Sequence, residues 1–240
     1  MVNLTSIWTR FSGSEVFWLS LTLLIFYGAQ QIQRRWDTAL LNPVLISIAV
    51  VSLILLTTQT PYASYAQATC ILHFLLGPAT VALAVPLYRR IHRLRQMAGP
   101  LAGGLVVGSI TAVISAIGIA GSLGASPLSL RSLAPKSATT AIAMGIAEKV
   151  QGLPSLTAVL VILTGILGAV MAGGLLDWLG VHEPAVRGFA IGVTSHGIGT
   201  ARAFEMDEEA GAFSGLGMSL NGVLTAILVP VLLKLLGLMP

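Results

Sequence analysis

The stretch Ser132-Leu-Ala-Pro-Lys-Ser-Ala-Thr-Thr140 decides the fold, because it places a proline, a lysine and four hydroxyl side chains inside an apolar chain. Only 9% of the 240 residues are charged and 55% are hydrophobic, with a mean hydropathy of +0.88. An average soluble protein carries roughly 25% charged residues. Since so few charges cannot cover the surface of a soluble protein of this size, the composition predicts an integral membrane protein.

The charge-free runs on either side of this stretch are long enough to cross a bilayer as helices. A crossing helix needs about 20 apolar residues. The runs are 18, 51, 35, 27 and 24 residues long: Val16–Gln33, Thr38–Tyr88, Gln96–Leu130, Val150–Leu176 and Ala210–Leu233. The longest holds two spans, and two weaker segments, 132–150 and 185–204, are interrupted. The runs are too long for barrel strands, so we predict an all-α, polytopic transmembrane helical bundle of six to eight membrane segments. These segments form a single domain over residues 1–240.

Basic residues follow the first and third predicted spans, at Arg34–Arg35 and Arg89–Arg95. Both clusters lie on one face if the second span crosses outward and the third returns, and the positive-inside rule makes that face cytoplasmic. We therefore expect a multi-pass protein of the inner (cytoplasmic) membrane. The clusters carry no interleaved aromatic platform, so the bilayer rather than a nucleic acid is the expected partner.

Three hydrophobic segments contain helix breakers near their middle: Leu75–Thr80, Ser132–Thr140 and Thr194–Arg202. Leu76-Gly-Pro-Ala-Thr80 resembles Leu133-Ala-Pro-Lys-Ser137 at an offset of 57 residues. The resemblance predicts an internal, inverted repeat with halves at roughly 14–120 and 125–238. Paired interrupted helices are the best sequence pointer to the binding site of a transporter.

The residues at these breaks predict an anion site. Proline suits the first position of a helix, so Pro78 and Pro135 are expected to open half-helices, whose free N–H groups and positive dipole ends attract anions. The predicted binding residues are Thr80, Lys136, Ser137, Thr139, Thr140, Ser195, His196, Thr200 and Arg202. A structural alternative stays open, in which the prolines only kink helices, the lysine reaches the interface and the hydroxyls bond to their own helix.

Two of these residues have specific expected roles. Arg202 is expected to pair with a carboxylate, and His196 to carry a coupling proton. No cofactor is expected, and coupling to H⁺ through His196 or to Na⁺ through backbone carbonyls are the two alternatives. The sequence contains no His-Glu-x-x-His, no Gly-x-Ser-x-Gly and no paired carboxylates within a span, so we do not expect an enzyme.

Four motifs in order resemble the LrgB/CidB family of bacterial membrane proteins, and the resemblance covers nearly all of the chain from the first span onward. The motifs begin at Leu76-Gly-Pro-Ala-Thr80, Ser132-Leu-Ala-Pro-Lys136, Gly152-Leu-Pro-Ser155 and Gly192-Val-Thr-Ser-His196. The chain departs from the family pattern at Ala141, where proline is common, and at Phe204, where a small residue is frequent. Neither departure changes a charged position.

The resemblance implies two functional descriptions. Bacterial members are described as holin- or antiholin-like proteins that modulate murein hydrolase export and cell lysis, often beside a small LrgA/CidA-like membrane partner. Other members are implicated in moving pyruvate, glycolate or glycerate. The interrupted segments favour a carrier for small monocarboxylates, because a holin needs only spans that oligomerise. The holin-like alternative stays open, as do the small partner and a homo-oligomer.

Overall fold

The computed structural model describes residues 14–36, 41–82 and 84–239, apart from the side chains of Leu76 and Thr80. This described part consists of helices and turns and contains no strand, so the predicted all-α class is confirmed. The chain divides into two compact units, Met1–Ala82 and Leu83–Pro240. Within the described residues, four helical stretches are long and apolar enough to cross a membrane: Cys70–Arg89, Ile91–Ser122, Pro154–Trp178 and Glu208–Leu235.

The first unit contains α1 (Glu15–Trp36), α2 (Pro43–Thr57), α3 (Tyr62–Ala68) and α4 (Cys70–Ala82). The fully buried Trp18 of α1 packs edge-on against Tyr65 of α3, with 5.5 Å between the ring centroids. Helix α4 continues through Pro78, so the prediction that Pro78 opens a half-helix is wrong. Proline has a φ compatible with a helix and removes one backbone hydrogen bond without forcing the helix to end.

The second unit contains the remaining helices. They are α5 (Ala84–Arg89), α6 (Ile91–Ser122), α7 (Pro127–Leu133), α8 (Thr140–Lys149), α9 (Pro154–Trp178), α10 (Pro184–Met206) and α11 (Glu208–Leu235). Prolines stand in the first turn of α7, α9 and α10, where their missing N–H costs nothing. Asp207 caps α11, accepting hydrogen bonds from the backbone N–H groups of Glu209 and Ala210 at 2.7 and 3.1 Å.

Helix α10 folds back on itself at His196, where φ is +42° and ψ is −138°. A Cβ atom on Gly199 would lie 2.8 Å from the Cγ2 of Ile191, eight residues earlier. A straight helix would separate these two residues by about 12 Å. Pro184 and Met206, at the two ends of α10, line one cavity. We call the whole segment Pro184–Met206 hairpin 2 and the residues around His196 its tip.

The segment from Pro127 to Gly152 forms a second re-entrant hairpin, which we call hairpin 1. Its tip is the non-helical stretch 134–139 between α7 and α8. The chain leaves Ser132 and returns to it, because the N–H of Leu153 donates to the Oγ of Ser132 at 2.8 Å. The prediction that Pro135 opens a half-helix is therefore also wrong. This residue is buried within the tip, and α8 begins only at Thr140.

The two hairpins approach the middle of α11 from opposite ends. The arms of hairpin 1 pack against Val229 and Leu233, near the end of α11. The entering arm of hairpin 2 packs near its start, where a Cβ atom on Gly188 would lie 1.9 Å from the carbonyl oxygen of Ala210. The tips therefore meet near residues 214–222 of α11.

Hairpin 1 with α9, and hairpin 2 with α11, have the same order of elements in opposite orientations. The first pair begins at Pro127 and ends at Trp178, and the second begins and ends 57 residues later, at Pro184 and Leu235. The second unit thus contains an inverted repeat of one hairpin followed by one long helix. The predicted halves, 14–120 and 125–238, have other bounds and stay a prediction.

Candidate functional site

The tip of hairpin 1 carries the predicted Lys136, Ser137 and Thr139, and the predicted Thr140 follows directly as the first residue of α8. Ser137 is buried, and its carbonyl oxygen accepts a hydrogen bond from the Nδ2 of Asn221 at 3.0 Å. Lys136 is half-buried, with its Nζ 3.4 Å from the Oγ of Ser137. Among the described residues, no carboxylate lies within ion-pair distance of this ammonium.

Helix α8 begins at this tip without a side-chain cap. Thr139 stands at the capping position but accepts no hydrogen bond there, and Thr140 is the first helical residue. Both are half-buried. The first N–H groups of a helix have no partner within the helix, and together with the dipole they attract an acceptor of negative charge. The tip therefore combines these N–H groups with the ammonium of Lys136.

The tip of hairpin 2 places His196 against α9. The Nε2 of His196 lies 2.9 Å from the carbonyl oxygen of Val161. A carbonyl oxygen only accepts, so Nε2 carries the hydrogen. Gly165 leaves room for the ring, since a Cβ atom there would lie 2.7 Å from Nε2. The positive φ of His196 is a conformation that costs on the order of 1–3 kcal/mol for a residue other than glycine.

The second ring nitrogen of His196, Nδ1, makes no hydrogen bond to any residue that the structure describes. Within the same residues, no fully buried side-chain nitrogen or oxygen lacks a partner. Nδ1 is therefore not fully enclosed, although His196 as a whole is only 4% exposed. In the neutral tautomer with hydrogen on Nε2, this nitrogen is a free acceptor that can take a proton.

The remaining predicted residues of hairpin 2 divide into two groups. Thr200 is buried, and its hydroxyl donates to the carbonyl oxygen of His196 at 2.8 Å. The same hydroxyl oxygen lies 2.9 Å from the Oγ of Ser214. Ser195 is buried against α9, where a Cβ atom on Gly168 would overlap its hydroxyl. Arg202, in contrast, is partly exposed and pairs with Glu205 at 2.9 Å. Thr80 belongs to the first unit, and its side chain lies outside the described residues.

The two tips share their neighbours on α9 and α11. Ala138 of hairpin 1 packs against Val161, the residue whose carbonyl oxygen bonds to His196. On α11, Met218 lies near Gly197 of hairpin 2, and Asn221 lies one turn further along, bonded to Ser137. We call this meeting of the two hairpin tips with α9 and α11 the tip site.

Sequence reasoning missed Asn221, which is 1% exposed and connects three elements. Its Oδ1 accepts from the Oγ of Ser109 on α6 at 2.7 Å and from the Oγ1 of Thr225 at 3.2 Å. Its Nδ2 donates to the tip of hairpin 1. The signal was present, because Asn221 is the only asparagine in the charge-free run 210–233. A buried amide at membrane depth is expensive unless it is paired.

The comparisons with known proteins cover the whole region that contains the two hairpins, α9 and α11. The LrgB-like family matches residues 22–235. The chain belongs to the LrgB-like family. It is 37% identical over 216 residues to the uncharacterized protein YwbG of Bacillus subtilis, covering 90% of this chain and 96% of that protein.

Relatives with a functional name are described as holin-like. The chain is 30% identical over 220 residues to the holin-like protein CidB of Staphylococcus epidermidis, covering 92% of this chain and 96% of that protein. It is 29% identical over 215 residues to the holin-like protein CidB of Staphylococcus aureus, covering 90% and 94%. No solved structure matches the chain. As a member of the LrgB-like family with several long apolar helices, the chain is a multi-pass membrane protein.

Proposed function

We propose that this LrgB-like protein is a carrier of small monocarboxylates, of the glycolate, glycerate or pyruvate class, in the inner membrane. The observation that carries the proposal is the meeting of two oppositely oriented hairpins at one polar site. Inverted repeats with broken helices that meet near the bilayer midplane are the architecture of secondary transporters. A lesion-forming protein has no need of this arrangement.

The tip site offers chemistry suited to a carboxylate. Lys136 supplies a positive charge without a carboxylate partner among the described residues, and the uncapped start of α8 supplies backbone donors. Ionisable residues at membrane depth are costly, so they mark substrate pathways. The hydroxyls of Ser137, Thr139 and Thr140 are the additional donors in this proposal, and Ser195, His196 and Thr200 form the opposite wall.

Two coupling ions fit the proposal. A proton on the Nδ1 of His196 would neutralise part of the charge that enters with the substrate, and the absence of a hydrogen-bond partner for this nitrogen among the described residues supports H⁺. The carbonyl oxygens of the two tips would serve for Na⁺. An imposed pH gradient should drive uptake in the first case, and an imposed sodium gradient in the second.

The holin-like role is the second candidate, and the names of the relatives favour it more than they favour a carrier. In that role the protein would regulate murein hydrolase export and lysis without a transported substrate. A small LrgA/CidA-like partner or a homo-oligomer would then form the active assembly. A lesion former releases many solutes without saturation, whereas a carrier saturates with one class.

One reconstitution separates the two candidates and tests the site. We expect proteoliposomes to take up radiolabelled glycolate or pyruvate saturably and to retain a trapped fluorescent dye. Lys136→Ala should abolish uptake, because it removes the only positive charge on this tip. Lys149→Ala, at the exposed end of α8, is the matched control and should transport normally. Dye release without saturable uptake would support the holin-like role and reject the carrier.

A further inference from the structure

We propose that Asn221 binds the substrate of the carrier proposed above and selects carboxylates that bear an oxygen on the adjacent carbon. The inference rests on that proposed function. Asn221 is buried at the middle of α11, and the start of α8 lies beside it. A Cβ atom on the neighbouring Gly222 would lie 2.8 Å from the Cδ1 of Ile142, in the first turn of α8.

The hydrogen bonds of Asn221 fix which end of the amide faces which partner. The Ser137 carbonyl can only accept, so it faces Nδ2. The hydroxyls of Ser109 and Thr225 donate to Oδ1 and occupy its two acceptor directions. The amide is therefore held in one orientation from α6, from its own helix and from the tip of hairpin 1.

This arrangement leaves one N–H of Asn221 without a partner among the described residues, and no free acceptor. A primary amide nitrogen carries two hydrogens, and only one is used by Ser137. A neutral donor beside a cationic tip suits a neutral oxygen of the substrate, while Lys136 and the α8 N–H groups take the charged carboxylate. An α-hydroxyl or α-keto oxygen lies next to the carboxylate and meets this requirement, whereas acetate offers no such atom.

Competition between glycolate and acetate in the reconstituted full-length protein tests the inference. We expect the wild type to show a KM for glycolate about tenfold lower than that for acetate, the effect of one buried hydrogen bond between substrate and site. Asn221→Leu should lose this preference by raising the KM for glycolate, with little change in the KM for acetate. A purely structural role would instead lower the maximal rate for both substrates together.

Two further variants keep the test decisive if Asn221→Leu does not fold. Ser109→Ala removes one of the hydroxyls that orient the amide and should lower the preference for glycolate severalfold. Ser219→Leu is the matched control on α11, since Ser219 is exposed and its hydroxyl bonds to its own helix at Gly215. It should keep the wild-type preference.

The outcomes distinguish this inference from the proposed function. Saturable uptake with equal KM values for glycolate and acetate in the wild type overturns the role of Asn221 and leaves the carrier standing. Unchanged preference in Ser109→Ala together with Asn221→Leu has the same consequence. Absence of saturable uptake for any carboxylate rejects both.

Discussion

Pro78 and Pro135 have similar sequence surroundings, yet α4 continues through the first and the chain is broken around the second. Pro78 is exposed, and so are Gly77 and Ala79 on either side. Pro135 is fully buried, and side chains of other helices donate hydrogen bonds to backbone carbonyl oxygens on both sides of it. Thr157 donates to the carbonyl oxygen of Ser132 at 2.8 Å, and Asn221 donates to that of Ser137.

The difference shows that proline alone does not interrupt a membrane helix. A break frees backbone groups, and in a bilayer each unsatisfied group costs several kcal/mol. The break at hairpin 1 persists because polar side chains on α9 and α11 satisfy those groups. The same rule applies to hairpin 2, where Thr200 donates to the carbonyl oxygen of His196.

We expect the largest effect on stability from a substitution that adds an atom where the backbones of hairpin 2 and α11 are in contact. A Cβ atom on Gly192 would lie 2.0 Å from the carbonyl oxygen of Ser214, and neither backbone can move without separating the two segments. We expect Gly192→Ala to destabilise the protein by about 3 kcal/mol or more, measured as a loss of thermal stability in detergent. Gly77→Ala is the control in α4, because nothing lies within 4 Å of the added atom.

That control has an expected direction of its own. Alanine is favoured over glycine in a helix by about 1 kcal/mol, so Gly77→Ala should preserve or raise the melting temperature. Equal destabilisation in both variants would contradict the contrast between an exposed continuous helix and a tightly packed break.

Replacing each proline by alanine tests the same comparison, and the expected change in stability is smaller. Pro135→Ala leaves a cavity in a fully buried position and releases the rigid tip, so we expect a loss of about 1–3 kcal/mol. Pro78→Ala restores a helical hydrogen bond on an exposed face and should be neutral or stabilising, by up to about 3 kcal/mol. Thermal melts of both variants, recorded in the same detergent, provide the measurement. A lower melting temperature for Pro135→Ala, without any lowering for Pro78→Ala, is the required outcome.

Composition and the charge-free runs were sufficient to predict the long helices but not the path of the chain between them. The charge-free runs predicted the long helices α6, α9 and α11, and the breakers at Pro135 and His196 marked both tips. The reversal of direction at each tip depends on contacts far apart in the chain, such as Gly188 with Ala210. No local pattern encodes such contacts.

The candidate site was predictable to a similar degree. Lys136 and His196 stood out because ionisable groups at membrane depth are costly. Asn221 was overlooked, because its importance depends on Ser109 and Ser137, which lie 112 and 84 residues away in sequence. The failure at Pro78 has the same origin, since the local sequence resembles that around Pro135 and only the tertiary partners differ.

We expect the smallest effect on uptake from a substitution of Arg202. For this residue the sequence and the structure lead to different predictions. The sequence alone predicted that Arg202 pairs with a carboxylate, and on that prediction Arg202→Ala should abolish uptake, as Lys136→Ala should. In the structure Arg202 already pairs with Glu205, both side chains are partly exposed, and such a pair contributes about 0.2–1 kcal/mol. We therefore expect Arg202→Ala to change glycolate uptake by no more than about fivefold. If uptake were lost completely while the protein stayed folded, Arg202 would have to leave Glu205 for the substrate in another conformation, and the binding region would extend from the tip along the returning arm of hairpin 2.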